Sequence, residues 1–517
     1  MSGFGGPVAL VVFVFGLALF RLIYIAYASP FTLIEDEAHY WAWAQRLDWS
    51  YYSKGPGVAW AIAASTSLLG DTELGVRAPA VIFSAIGTLA VAALARDVAS
   101  SWRIAWMAVL LYQAMPGVHA TGLLMTIDGP FFACWAVAAW CGWLAIVVGS
   151  GFAWIGLGAA LAVGFLFKYT IVALPPAMLL FAALHGRARA PVRYGWLLGG
   201  MAVAILGLMP VGIWNAANDW ATVRHLLGHL GVAGGDTQRS DIGWSYSPLW
   251  TAEYFLFLLM MSGSALVLGL QAMVNIRRAR DGGAGRVSAG GVAYLVWCST
   301  PPAALYLVVS LFTNIEANWV TPVGITLCPL AAWAAADGLL RRDHGVRMAW
   351  HAGLLCLVVM IVGPVVLGIA ATGRERLLGV PINRVTGADD FAAEAAVAAA
   401  SLREQTGLEP FYMAVHYGRA SLLRFYLPGR PEVYSASAHT GGRRSQFDVW
   451  HETDLSQPAV NDRLRGRPAV LFGGEGAPWG LVFGDVREIG PLPSEPKRSR
   501  TTWIGEGFLG FDTVITP

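Results

Sequence analysis

Charge is what this 517-residue chain has least of. Asp, Glu, Lys and Arg together make up 13% of it, against about a quarter in an ordinary soluble protein. With 56% hydrophobic residues and a mean hydropathy of +0.54, this excludes a soluble globular protein and leaves a polytopic membrane protein. Runs of Lys or Arg are also missing, which excludes a nucleic-acid partner. Cysteine is scarce: Cys134, Cys141, Cys298, Cys328 and Cys356 all lie in apolar runs. They support neither a disulfide framework nor a thiolate metal site and read as small hydrophobes. The N-terminus lacks a basic leader region, so residues 7–28 read as a retained transmembrane helix despite the "AYAS" that follows. No internal repeat is visible.

Apolar runs long enough to cross a bilayer, roughly 20 residues as a helix, fall near 7–28, 80–97, 104–120, 129–148, 152–167, 169–184, 195–214, 249–274, 290–312, 318–337 and 348–370. This predicts about eleven spans in a membrane domain over residues 1–371, with 152–184 the shortest pair. Residues 56–70 are apolar but too short, and suit a helix lying in the interface. Alternate loops separate by charge. One set carries Arg96, Arg103, Arg187, Arg189, Arg193, Arg277, Arg278, Arg280, Arg286, Arg341, Arg342 and Arg347. The other carries Glu35, Asp36, Glu37, Asp48, Asp71, Glu73, Asp128, Asp219, Asp236, Asp241 and Glu316. The positive-inside rule then places the N-terminus in the cytoplasm and the acids outside. Residues 372–517 are more polar, with a helical pattern at 389–404 and strand-like runs at 410–416 and 467–472. They predict a small extracytoplasmic α/β domain.

The external loops hold the unusual polar groups. "DEAHYWAWAQRL" (36–47) predicts a short amphipathic helix capped by Asp36, with Asp36, His39 and Tyr40 on one face. Capping needs one acid, however, and this loop has three in a row. Lys54 in "YYSKGPG", just after Tyr52, either snorkels to the headgroups or forms a fixed anion site. Asp128 in "MTIDGP" N-caps the helix that follows, or faces the same site as Asp36; His119 opens its loop. Lys168 in "FLFKYT" breaks a pair of short apolar runs and is costly in lipid unless it faces a cavity or an anion. "PVGIWNAANDWATVRHLLGHLG" offers Trp214, Asn215, Arg224 and the pair His225 and His229. Without a Glu between them, those histidines read as a solvated helix face rather than a metal site. "NIEANW" adds Glu316, Asn318 and Trp319, groups suited to holding sugars. Carboxylates suit a general base acting on a hydroxyl, and cations suit a departing phosphate. Together they imply group transfer from a lipid phosphate to a polar acceptor.

"DEAHYW", "YSKGPGVAW", "MTIDGPFF" and "GFLFKYT", in this order, resemble the bacterial relatives of protein O-mannosyltransferases and the lipid A aminoarabinose transferase. Later pieces, "PVGIWNAANDW", "IEANW" and "RASLLRFYLPGRPEVYS", extend the similarity over about residues 7–450. The resemblance implies a C-type glycosyltransferase fold with two interfacial helices in the first external loop. It implies inverting transfer from a polyprenyl-phosphate-linked sugar donor to an envelope lipid or glycan acceptor, in the bacterial inner membrane. By matching motif positions, the resemblance implies Asp36 as the catalytic base or the acid that orients the acceptor, with Glu37 beside it, Glu35 leaving the choice of base open, and Asp128 as a second acid. Lys54 and Lys168 contact the donor phosphate, with Arg224 a further candidate. His39, Tyr40, Tyr52, His119, Trp214, Asn215, Glu316 and Asn318 are candidate substrate ligands. The chain departs from the aminoarabinose-transferase pattern in having Gly55-Pro56-Gly57 after Lys54 instead of two prolines. No cofactor is required; Asp36, Glu37 and Asp128 could hold a divalent ion. In the tail, Tyr417 or Arg419 could reach the site. An alternative is a flippase for a lipid-linked glycan, which should show repeat symmetry and ionisable groups near mid-membrane. A phosphoethanolamine-type transferase would need a metal cluster in the tail, which His416, His439 and His451 do not suggest.

Overall fold

The computed structural model describes residues 6–186, 189–229, 235, 246–279, 287–371, 385–474, 479–494 and 501–511. The chain forms two compact units: Met1–Ala28 with Lys54–Val366, and Ser29–Ser53 with Leu367–Pro517. In chain order the first sixteen helices are α1 (Pro7–Tyr27), α2 (Glu35–Ala44), α3 (Gly57–Leu69), α4 (Glu73–Ala99), α5 (Trp102–Gln113), α6 (Pro116–Thr121), α7 (Asp128–Trp143), α8 (Gly151–Phe167), α9 (Leu174–Leu184), α10 (Tyr194–Ala217), α11 (Ala221–His229), α12 (Pro248–Ser262), α13 (Ser264–Ala279), α14 (Ala289–Val309), α15 (Thr321–Leu340) and α16 (His344–Ala371). All but α2 begin in the membrane unit.

Local chemistry marks the helix ends. Thr72 caps α4 by accepting from Gly75 N–H at 3.0 Å, and Ser288 caps α14 through Gly291 N–H at 3.0 Å. Pro7 and Pro116 open α1 and α6, where no partner for an N–H is needed. Most side chains of α4, α7 and α15 are buried, which makes these helices the centre of the unit.

Among the described residues, seven helices are long and apolar enough to cross a membrane, or eight if α12 and the start of α13, bent by 99°, form one span. The expected eleven is not confirmed at that number. The run at 104–120 breaks into α5, of 12 residues, and the short α6, while α8 and the 169–184 segment each fall below a full crossing. Hydropathy had scored these pieces without seeing where the backbone turns. The interfacial candidate at 56–70 is α3, a short apolar helix. The acidic and basic loops around residues 236–245 and 280–286 lie outside the described residues.

The second unit carries α2, α17 (Ala388–Thr406), α18 (Tyr417–Tyr426), α19 (Pro458–Leu464), α20 (Trp479–Val482) and five strands. The strands are β1 (Phe411–Ala414), β2 (Val433–Ser435), β3 (Ala469–Phe472), β4 (Phe483–Gly490) and β5 (Thr502–Phe508). Their order is β2-β1-β3-β5-β4, parallel across the first three and antiparallel across β3-β5-β4. β3, the central strand, is buried at every residue, as a strand covered on both faces should be. Phe411, Met413, Leu471, Trp479, Phe483 and Phe508 form the core below the sheet.

Near this core Asp448 is 5% exposed and accepts from Ser445 N–H at 2.7 Å and Ser445 Oγ–H at 3.1 Å. Burial still pushes its carboxyl up to about 6 against those hydrogen bonds and Arg444, with Asp454 adding to the rise. A raised carboxyl favours the folded state most below its unfolded value of 3.8 and loses that contribution as pH climbs through about 6. Asp448→Asn should therefore flatten part of the fall in Tm between pH 4 and pH 7. An unchanged pH dependence of thermal unfolding would remove Asp448 from that role.

Candidate active site

The membrane unit holds a three-residue set built on a nearly buried ion pair. Asp128 is the first residue of α7, where a helix N-terminus favours negative charge. Its Oδ1 accepts from Lys168 Nζ at 2.7 Å, and its Oδ2 accepts from Asn318 Nδ2 at 2.5 Å. The lysine and aspartate side chains are 10% and 5% exposed. Lys168 follows α8 with an extended backbone before the chain tightens into a 3-10 turn at Tyr169–Ala173. The rings of Phe131 and Trp319 stand 5.5 and 5.9 Å from its ammonium. Two residues read separately from the sequence thus form one ion pair, with Asn318 as its third member. Glu316, just before Asn318, is exposed.

Lys54 is partly buried, and the Gly-Pro-Gly after it has a steric reason. A Cβ on Gly55 would stand 2.3 Å from the Leu166 carbonyl oxygen, and one on Gly57 would stand 3.0 Å from it. The glycines let the Lys54 loop rest on the end of α8 that leads into Lys168. Gly55→Ala must push this loop away, and an ångström of misplacement can cost about 100-fold in rate. We expect a loss of that order in initial transfer rate, with insertion and size-exclusion profile unchanged. A normal rate would show that the loop's position is immaterial.

His119 belongs to a different cluster. Arg21, 3% exposed in α1, donates to Ser84 Oγ at 2.8 Å and to Gln113 Oε1 at 2.8 Å, and its guanidinium lies 3.2 Å from His119 Nδ1. A guanidinium only donates, so His119 Nδ1 accepts and its proton sits on Nε2. The histidine is a buried link in a helix-joining network. Arg21 was hidden in an apolar run; the visible signal was a charge inside a span. Asn215 is similarly occupied. Its Nδ2 donates to Val211 O at 2.9 Å and its Oδ1 accepts from Thr222 N–H at 3.1 Å. It holds the α10–α11 turn, where Asp219 and Trp220 have φ of 52° and 56°, uncommon for residues with a Cβ. Trp214 and His225 are buried, Arg224 is exposed, and the His229 side chain lies outside the described residues.

In the second unit, α2 gives its three acids different surroundings. Glu37 is fully buried, and its Oε2 accepts from Ile34 N–H at 3.1 Å, so the helix is capped from within by Glu37 rather than by Asp36. Glu35 Oε2 is 3.6 Å from His416 Nδ1. The facing residue is Gly418, whose Cβ would come within 2.6 Å of Glu35 Cβ. Asp36 is exposed. Beyond it the helix is buried from Glu37 to Ala44, so His39 and Tyr40 share a burial that Asp36 does not.

His39 is bonded at both nitrogens. The Trp43 indole N–H donates to Nε2 at 3.2 Å, so Nδ1 carries the proton and donates to Ser421 Oγ at 3.0 Å. Burial first, then Arg443 and His416, hold its pKa well below the ordinary range. His39 is thus a neutral joint between α2 and α18. Tyr40 packs edge-on against Trp43 at 5.1 Å, and Tyr52 N–H donates to Gln446 Oε1 at 2.7 Å. Tyr417 accepts from Arg443 Nη2 at 2.9 Å, while burial keeps its phenol above the usual range and the charges of Asp36 and Glu35 add to that rise. Ser421 and Arg443 carried no sequence signal of their own, and Arg419 is buried. Among the described residues no three His, Cys, Asp or Glu side chains gather as a metal site.

The comparisons with known proteins agree with this architecture. Residues 53–214 match the family model described as dolichyl-phosphate-mannose-protein mannosyltransferase. The chain is 27% identical over 349 residues to lipid A galacturonosyltransferase RgtD of Rhizobium johnstonii, covering 65% of this chain and 67% of that one. It is 26% identical over 378 residues to the undecaprenyl phosphate-alpha-4-amino-4-deoxy-L-arabinose arabinosyl transferase of Edwardsiella ictaluri, covering 68% and 65%. The corresponding protein of Pseudomonas fluorescens is 28% identical, with 39% of its length spanned. The crystal structure of ArnT from Cupriavidus metallidurans bound to undecaprenyl phosphate superposes with a TM-score of 0.62 at 14% identity, over 96% of this chain and 98% of that one. The chain is a multi-pass membrane protein that shares the fold of ArnT; its sequence is similar to the dolichyl-phosphate-mannose-protein mannosyltransferase model over residues 53–214 and to the lipid A galacturonosyltransferase and an arabinosyl transferase over about two thirds of its length.

Proposed function

We propose that this protein transfers a sugar from a polyprenyl-phosphate donor to a hydroxyl or phosphate on a cell-envelope lipid or glycan, lipid A among them. The observation that carries the reading is the Lys168–Asp128–Asn318 set with its nearly buried ion pair. An ammonium held this deep is suited to an anion that must leave water to reach it. The names of the relatives supply the donor and acceptor classes: undecaprenyl-phosphate-linked aminoarabinose in one group, lipid A in the other.

The acceptor oxygen attacks the anomeric carbon as the bond from that carbon to the phosphate oxygen breaks, inverting the centre. The electron pair leaves with the polyprenyl phosphate. Asp36 takes the acceptor's proton where there is one; its exposed carboxylate is suited to this, whereas Glu37 is committed to the helix cap. Lys54 and Lys168 stabilise the charge growing on the phosphate. The alternation of acidic and basic loops supports an extracytoplasmic site, a cytoplasmic N-terminus and a bacterial inner-membrane location.

Proteoliposomes given undecaprenyl-phosphate-linked aminoarabinose or galacturonic acid and lipid A should yield lipid A heavier by one sugar in mass spectrometry. Movement of the lipid-linked sugar across the bilayer with no glycosidic product would point to the flippase instead.

A further inference from the structure

The inner ends of three membrane helices enclose a space that the transfer reaction does not use. A cavity of about 350 Å³ lies between α8, α9 and α10, walled by Trp154, Leu157, Met178, Leu179, Met201 and Ile205 among others, and among the described residues Arg189 is the one charged residue lining it. It follows from how the helices meet. α8 and α10 approach through glycine: a Cβ on Gly158 would stand 2.1 Å from the Gly200 carbonyl oxygen, and one on Gly207 would stand 2.4 Å from Ala162 Cα. With small residues at the contact, no side chain is left to fill the space beside α9. The opening is lateral, because Leu179, Met201 and Ile205 are 64%, 51% and 57% exposed on helix faces that meet hydrocarbon. An apolar cavity of even about 150 Å³ stays dry and takes apolar guests.

At one end of this space the chain is basic. Residues 185–193, "HGRARAPVR", contain three arginines and no acid. Arg189 and Arg193 are exposed, and neither makes an ion pair with a described residue. Ala190 N–H donates to Ile146 O at 2.8 Å, which ties the Arg189 loop to the π-helical end of the α7 span. An exposed arginine at the mouth of an apolar slot between membrane helices is the geometry that holds an anionic lipid by its headgroup.

We propose that this cavity binds one acyl chain of an anionic glycerophospholipid, with the headgroup phosphate at Arg189 and Arg193. The donor's polyprenyl chain is the wrong occupant. The cavity is lined by the Trp154–Leu161 part of α8, whereas Lys168 follows the opposite end of that helix. The site is therefore separate from the one proposed for transfer, and binding can be read without any transfer assay.

The test is native mass spectrometry of the full-length protein released from nanodiscs of equimolar phosphatidylglycerol and phosphatidylethanolamine. Wild type should retain phosphatidylglycerol. Arg189→Glu with Arg193→Glu should lower that retention at least fivefold, and Ala204→Phe, which fills the cavity, should do the same. Equal retention of phosphatidylethanolamine, retention unaffected by Ala204→Phe, or polyprenyl phosphate as the retained lipid would each overturn the proposal. Should Ala204→Phe fail to fold, phosphatidylglycerol with brominated chains replaces it as the probe. It should quench a component of tryptophan fluorescence that Trp154→Phe removes; equal quenching in both proteins is the overturning result.

Discussion

Asp36→Asn should lower transfer by about 10²- to 10⁴-fold, the range that a positioned general base supplies, and leave the thermal unfolding of the protein unchanged. The two halves of that expectation come from one observation. Asp36 is exposed, whereas the neighbouring Glu37 is fully buried and accepts from Ile34 N–H. Asp36→Asn removes a proton acceptor while keeping the size of an exposed side chain. Glu37→Gln should show the reverse, because it weakens a cap worth about 1 kcal/mol in a helix that lies buried against α18. Its Tm should fall while most of its rate survives at permissive temperature. Initial rates in membranes beside melting curves in detergent separate the cases. A fully active Asp36→Asn protein sinks the assignment of the base, and a well-folded but dead Glu37→Gln protein transfers it to Glu37.

Lys168→Ala should be more damaging than removal of the whole ion pair. The alanine variant leaves the Asp128 carboxylate 5% exposed and without its cation, and breaking a buried pair from one side costs about 3–5 kcal/mol. Lys168→Met combined with Asp128→Asn keeps shape and removes both charges, so it should recover most of that stability. Asn318 would then face an amide in place of a carboxylate oxygen. Activity should not recover with stability, because the ammonium proposed to meet the donor phosphate is still missing. Tm and transfer rate for the single variants and the double variant form a complete cycle. If rate returns together with Tm in the double variant, Lys168 is structural only.

The parts of this protein that were legible in its sequence share a physical cause: they are local. An acid triplet or a lysine at the edge of an apolar run is expensive wherever it stands, so Glu35–Glu37, Lys54, Asp128 and Lys168 announced themselves before any fold was known. The small sheet was legible from short β-rich runs, and the long spans from hydropathy. What stayed hidden depends on distant partners. That Asp36 stays exposed and Glu37 does not is decided by surroundings that include α18, nearly four hundred residues on. The roles of His39 and His119 are set by Ser421 and Arg21, and a lone histidine carries no mark of either. Asn318 could be named as a polar group, but its bond to Asp128 spans 190 residues. The number of spans was less legible for a related reason: hydropathy sums residues, whereas α5, α6 and the 99° bend after α12 are decisions of the backbone.

The discontinuous make-up of the second unit sets a schedule for its birth. His39 finds Ser421 only 382 positions later, and at about 5–20 residues per second a ribosome needs roughly 20–80 seconds to deliver that partner. Through that interval Trp41, Trp43 and Tyr51, later almost wholly enclosed, have nothing from the C-terminal segment to cover them. The nascent chain therefore waits with its proposed base exposed and its aromatic helix uncovered. A chain that stops before residue 411 can insert its spans and still never complete this helix's surroundings.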